Sequence, residues 1–373
     1  MLCFGLLKLL RNSLRITSRE QQYQPRDQQL QPEKLRSVLR PIFESMLEGI
    51  GYQGAPQLHD KEKKQAVLDA MHQKVADYGM TLDDPLSAKG FRLGFSEAAL
   101  AYPDHSVAVQ TYIAIFTWIV VQIDDITPSI KNEFQKRFLR GEEQPLPILR
   151  GLAAIFREAY DHWDPVLANL LVKSVSFAFA RQVRPAPERV RARICATPFR
   201  PFGHKQARGL GFVTANLLDA EEGFRRMQVT AAGVSFPYYF RHMSGITEAY
   251  AIFTYPSGQY PDLSQFLEAI PDIALFININ NDVLSFYKEE IAGESTNYIH
   301  NRARCERKDP LAVVREVQQE VVDCVGRVNR ILEGREPYLQ AWQVHMTGHI
   351  AMHTVNPRYR LAELGLGEEH PLR

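Results

Sequence analysis

The sequence predicts an all-α protein. Apolar residues recur at steps of three and four over long stretches, and helix-start and helix-stop residues bracket those stretches. No series of alternating strands, internal repeat or Gly-rich phosphate loop interrupts that pattern.

Taken in order, the opening MLCFGLLKLLRNSLRI is apolar but broken by Lys8, and no charged segment precedes it. It predicts a short N-terminal helix in place of a signal peptide. Residues 19–34 are polar and Gln-rich, so 1–34 is expected to be a flexible leader. A single helical domain should then fill 35–373. Within it, Val107, Ile113, Phe116, Val120 and Ile123 form one helical stripe that ends at Asp124 and Asp125. The densest apolar run there, Tyr112 to Val121, is about half the length of a bilayer span. It reads as a buried core helix, which predicts no stable membrane insertion and a cytoplasmic location.

Residues 181–212 break the helical rhythm. They carry seven arginines and one lysine against a single acid, Glu188, with prolines at 185, 187, 198 and 201. Those prolines exclude a continuous helix. The stretch is expected to be a disordered basic insertion or sequence foreign to the mature chain, in preference to an arm for an anionic partner. Further on, Asp309 and Pro310 give an N-cap and a first-turn proline. Val314, Val317, Val321, Val325, Val328 and Leu332 follow on one face, and Gly334 ends the run. Pro337 opens a last helix toward Thr354.

Composition excludes some classes of function. With 44 basic and 43 acidic residues the formal charge is +1, which gives no general attraction for nucleic acid. Four scattered cysteines without a CxxC pair suggest neither a disulfide framework nor a zinc site. With 45% apolar residues there is ample material for one large core.

Two segments carry chemistry. Gln122-Ile123-Asp124-Asp125-Ile126-Thr127 places two carboxylates at the end of a very apolar helix. Asn281-Asp282-Val283-Leu284-Ser285-Phe286-Tyr287-Lys288-Glu289 follows the apolar run Ile270 to Ile279. At roughly 100° per residue, Asn281, Ser285 and Glu289 fall within about 80° of one helical face. They offer an amide oxygen, a hydroxyl and a carboxylate, which are hard ligands suited to Mg²⁺. The spacing alone also describes a polar helix end. Its joining to Lys288 and to a carboxylate pair on another apolar helix favours a metal site.

At these residues the chain resembles the fungal class I sesquiterpene cyclases of the trichodiene synthase family. NDVLSFYKE is similar to that family's metal-binding signature, and VQIDDIT to its aspartate-rich motif. YYFRHMSG is similar to the segment bearing the diphosphate-sensing arginine, and HTVNPRYRLAEL to the one bearing an Arg-Tyr pair. The motifs stand in the family's order between about residues 90 and 365.

The resemblance implies a class I terpenoid synthase helical bundle around a central active-site cavity. It implies Asp124, Asn281, Ser285 and Glu289 as metal ligands, with Asp125 organising a salt bridge, and about three Mg²⁺ ions. It also implies Arg241, Lys288, Arg358 and Tyr359 on the diphosphate, a prenyl diphosphate substrate (farnesyl diphosphate) and a homodimer. The expected product is a cyclic C15 hydrocarbon or alcohol, trichodiene and longiborneol among the options. Two departures stand out: the aspartate motif lacks a final acid, and the chain stops 14 residues after Tyr359.

Other readings compete. A chain-elongating prenyltransferase would want a second aspartate-rich motif in place of the Asn-Ser-Glu face. A non-catalytic helical protein with a vestigial site would keep the pattern without the reaction. His345, His349 and His353 share a helical face that could hold zinc, but no HExxH completes it, so packed or partly exposed histidines are expected. Tyr112, Phe116 and Trp118 are expected as core, and Asp219, Glu221 and Glu222 as a solvated face.

Overall fold

The computed structural model describes residues 30–175 and 229–371, with Ala215, Leu218 and Met227 between them. Most of the leader, all of the basic stretch at 181–212, and the acids Asp219, Glu221 and Glu222 lie outside the described residues. Secondary structure within them is entirely helical. In chain order the α-helices are α1 (Pro32–Gly49), α2 (Lys61–Asp77), α3 (Pro85–Ala101), α4 (Val107–Lys136), α5 (Pro147–His162) and α6 (Pro165–Val175). There follow α7 (Phe236–Ser244), α8 (Thr247–Phe253), α9 (Ile270–Ala292), α10 (Tyr298–Glu306), α11 (Pro310–Leu332) and α12 (Glu336–Thr354). A 3₁₀ turn over Pro357–Tyr359 comes after α12.

Local chemistry sets the helix starts. The Asp84, Ser106 and Asp309 side chains accept from the backbone N–H of Ser87, Val109 and Leu311, and prolines at 85 and 310 occupy first-turn positions that need no donor. Helix α9 stops on Gly293, whose φ of 75° is the left-handed conformation glycine adopts without penalty. Helix α1 begins at Pro32, just inside the span expected as leader, because Leu35, Leu39, Ile42, Phe43 and Met46 bury one face. The valine stripe of α11 is buried throughout and packs on α9.

One expectation is corrected. Asp124 does not end a helix, since α4 continues past it to Lys136. Ile130 and Phe134, both buried, extend the apolar face by another turn and hold that continuation against the core. Of α4, the window Val107–Asp124 is long and apolar enough to cross a membrane, yet 72% of it is buried inside the protein. It is a core helix.

Packing around α3 is unusually close. A Cβ on Gly94 would overlap the Ala114 carbonyl oxygen of α4, and one on Gly348 of α12 would overlap the Leu100 carbonyl of α3. Missing side chains at these two points let three helices approach backbone to backbone. Helix α3 thus packs on both α4 and α12, while α9 packs on α8 and α12.

Candidate active site

Three separated segments of sequence meet near the centre of α9. Arg241, in the last turn of α7, donates from Nε to the Asp282 carboxylate at 2.7 Å and from Nη2 to the Asn281 amide oxygen at 3.1 Å. Nη2 also reaches the Asn278 carbonyl at 3.2 Å. The Asn281 amide nitrogen lies 3.1 Å from His353 Nε2 on α12, and the His353 ring packs 4.3 Å, centre to centre, from that of Tyr359. Arg241, Asn281 and Tyr359 are thus linked through His353. The next residue, Arg358, is exposed.

Electrostatics explain this arrangement. Asp282 is almost fully buried, and burial pushes its carboxyl up to about 6 against the opposing pull of Arg241, with Glu289 adding to the rise. Burial lowers the His353 imidazole to about 3, helped by the neighbouring His349, so it is a neutral ring at Asn281. The Tyr359 phenol is raised by burial. It is a neutral hydroxyl.

The other end of the α9 face is organised separately. Glu289 accepts from Lys288 Nζ at 2.9 Å and from the Asn297 amide at 2.8 Å, so each carboxylate oxygen has a donor. Between these groups Ser285 is buried, and its hydroxyl has no hydrogen-bond partner. An orphaned hydroxyl beside an amide oxygen and a carboxylate is the donor set a hard divalent cation requires. Such a donor set would suit a divalent cation once Arg241, Lys288 and Asn297 release the oxygens they hold.

A cleft of about 560 Å³ opens between α3, α4 and the turn that carries Arg358, and Arg241, Asn281, Ser285 and Glu289 do not line it. Lys89, Arg92, Arg358 and His370 line it together with Val121, one helical turn before Asp124 on α4. Its cationic rim suits an anionic ligand. Asp124 itself is exposed on α4. The Asp125 side chain lies outside the described residues.

The remaining candidates resolve as follows. His345, His349 and His353 are all buried and packed, and no cluster of three or more His, Cys, Asp or Glu side chains suited to a metal occurs among the described residues. Trp118 donates to the Ser87 carbonyl and packs on Phe91 in the α3–α4 core. Phe116 meets Tyr250 and Phe253 edge-on. Sequence reasoning missed Asp282, His353 and Asn297 as partners of the site. Asp282 adjoins Asn281 and could have been weighed, whereas the other two are joined to it only by the fold.

Known proteins resemble the chain along most of its length. The family model described as trichodiene synthase matches residues 225–369. The chain is 31% identical to longiborneol synthase of Gibberella zeae over 90% of both proteins. It is 31% identical to the terpene synthase BipA of Cochliobolus sativus, covering 87% of this chain and 89% of that one. Alpha-cuprenene synthase of Coprinopsis cinerea is 27% identical over 91% of this chain and 92% of its own length. Among solved structures, a linalool/nerolidol synthase from Streptomyces clavuligerus superposes with a TM-score of 0.54 at 11% identity, over 80% of this chain and 96% of that one. That last likeness speaks for the fold alone.

Proposed function

The chain belongs to the trichodiene synthase family of terpene synthases, and from that premise we propose that it is a sesquiterpene cyclase acting on farnesyl diphosphate. It is a lyase acting on a diphosphate, and its family implies dependence on a divalent metal. The observation that carries the finer reading is the contact chain Arg241–Asn281–His353–Tyr359, in which three motifs distant in sequence share one cluster.

In this reading Asp124 on α4 and Asn281, Ser285 and Glu289 on α9 hold Mg²⁺, three ions in all. Bound there, the metal supplies Lewis-acid stabilisation of negative charge on the departing diphosphate. Arg241, Lys288 and Arg358 donate charge-assisted hydrogen bonds to the same group, and Tyr359 adds a neutral hydroxyl. Their positive charge is worth most as the C–O bond breaks, because the anion develops at that moment. The exposed Arg358 on the cleft rim is placed to meet the diphosphate first, whereas Arg241 waits inside with its fork already oriented by Asp282.

The allylic cation left behind needs an enclosure without bulk water. Phe116, Tyr250 and Phe253 pack edge-on against one another in the bundle core, and rings of this kind stabilise a cation that reaches them. The span-length helix α4 lies inside the core, which supports a cytoplasmic location.

Incubation with farnesyl diphosphate and Mg²⁺, followed by gas chromatography–mass spectrometry of a hexane extract, tests the reading. A cyclic C15 hydrocarbon or alcohol is expected. A longer prenyl diphosphate, or no product at all, would overturn it.

A further inference from the structure

Beside the diphosphate cluster lies a buried acid–base pair that the ionisation step does not use. Glu97 on α3 is 6% exposed and His349 on α12 is 8% exposed. Glu97 Oε1 and both ring nitrogens of His349 have no hydrogen-bond partner. The closest approach between the two, Oε1 to Nδ1, is 4.0 Å. That is too long for a direct hydrogen bond and within the reach of one water bent between them. Buried carboxylates and imidazoles are rarely left unpaired, since each lost partner costs on the order of 1–3 kcal/mol. Three orphaned polar atoms on two facing helices therefore mark a place where a polar guest belongs.

The position of the pair identifies that guest. His349 sits one helical turn before His353, which touches Asn281, and the two rings lie 5.1 Å apart, so the pair adjoins the diphosphate cluster. The His349 ring packs on Phe276 of α9 and on His345, which stacks in turn on Tyr102. Burial raises the phenols of Tyr102, Tyr250 and Tyr359, and the nearby Glu97 adds to the rise of each. The neighbourhood of Glu97 thus joins the head-group residue Tyr359 to the aromatic rings of Tyr250 and Phe116. A prenyl tail whose diphosphate is held by Arg241 and Tyr359 would extend into this neighbourhood.

Resting on the cyclase reading, we propose that Glu97 and His349 hold the water that ends the carbocation cascade and accept its proton. A lone pair of that water forms the new C–O bond to the cationic carbon, and one of its O–H bonds breaks. The proton passes to the free imidazole nitrogen, and the Glu97 carboxylate stabilises the resulting imidazolium. The product is a neutral C15 alcohol, and the proton leaves to solvent when diphosphate departs. Here the class of product follows from two residues.

The test uses the full chain with farnesyl diphosphate and Mg²⁺ in ¹⁸O-enriched water, with mass spectrometry of the extract. Wild-type protein is expected to give mainly an alcohol carrying the heavy isotope. Glu97→Gln and His349→Asn should each lower the alcohol share of total C15 product at least about tenfold in favour of hydrocarbons, a modest loss for general-base catalysis. Thermal melting identifies any variant that fails to fold, in which case the other decides. An unchanged alcohol share, an alcohol without the isotope, a wild-type product that is all hydrocarbon, or loss of all product from folded variants overturns the assignment. A wild-type chain that releases no diphosphate instead overturns the cyclase reading beneath it.

Discussion

Replacing Arg241 separates what that residue does for the fold from what it does for the reaction. Its guanidinium holds Asp282 at 2.7 Å and Asn281 at 3.1 Å, with Arg241 and Asp282 only 16% and 9% exposed. Removing one member of a buried ion pair costs about 3–5 kcal/mol, because the other is left uncompensated. Arg241→Met should therefore lower the melting temperature clearly, and adding Asp282→Asn should restore much of it, since an amide carries no orphaned charge. Turnover should not recover. One charge-assisted hydrogen bond to the leaving diphosphate is worth about 1.5–3 kcal/mol, which at 1.36 kcal/mol per decade is roughly a 10- to 150-fold slower ionisation in both variants. Single-turnover release of diphosphate from radiolabelled farnesyl diphosphate measures the rate, and differential scanning calorimetry the stability. A double variant that regains wild-type turnover along with its stability would show that Arg241 only holds Asp282 in place.

Further outcomes follow from the same contacts. Asp124→Asn and Glu289→Ala should each lower turnover at least about tenfold and raise the Mg²⁺ concentration needed for half-maximal rate. Chelation with EDTA should stop product formation until Mg²⁺ is returned. Ser285→Ala deletes a buried hydroxyl that has no partner, so thermal stability should hold or rise slightly while the Mg²⁺ requirement increases several-fold. Unchanged metal dependence in a stable Ser285→Ala protein would remove that ligand from the set. His105 donates from Nε2 to the Phe253 carbonyl at 2.8 Å, and its pKa is lowered by burial to about 4. Its stabilising contribution is complete above the unfolded value of about 6.5 and disappears as pH falls toward 4, because the unfolded chain takes up the proton first. His105→Gln should flatten the loss of melting temperature over that window, and an unaltered pH profile would contradict the assignment.

Much of this was legible in the sequence because it is local. Capping residues at Asp309, the valine stripe of α11 and the i, i+4, i+8 face of Asn281, Ser285 and Glu289 are set by neighbours along the chain. The extension of α4 beyond Asp124 was not legible, since Ile130 and Phe134 signal a helix only once a core exists to receive them. Partnerships across the bundle were equally hidden. Nothing local ties His353 to Asn281 or Asn297 to Glu289, and Glu97 lies in a stretch, SEAALAY, where an acid reads as a solvated side chain. The close approach at Gly348 turns that residue inward by pressing α12 onto α3.

The proposed function requires α4 and α9 to grip one set of cations between them. A crystal structure of the protein grown with Mg²⁺ and inorganic pyrophosphate tests this most directly. The expected density has ions bound by the Asp124 carboxylate on one side and by Asn281, Ser285 and Glu289 on the other, with Arg241 on the pyrophosphate. Pyrophosphate seated elsewhere, or metal that leaves either helix untouched, would contradict it.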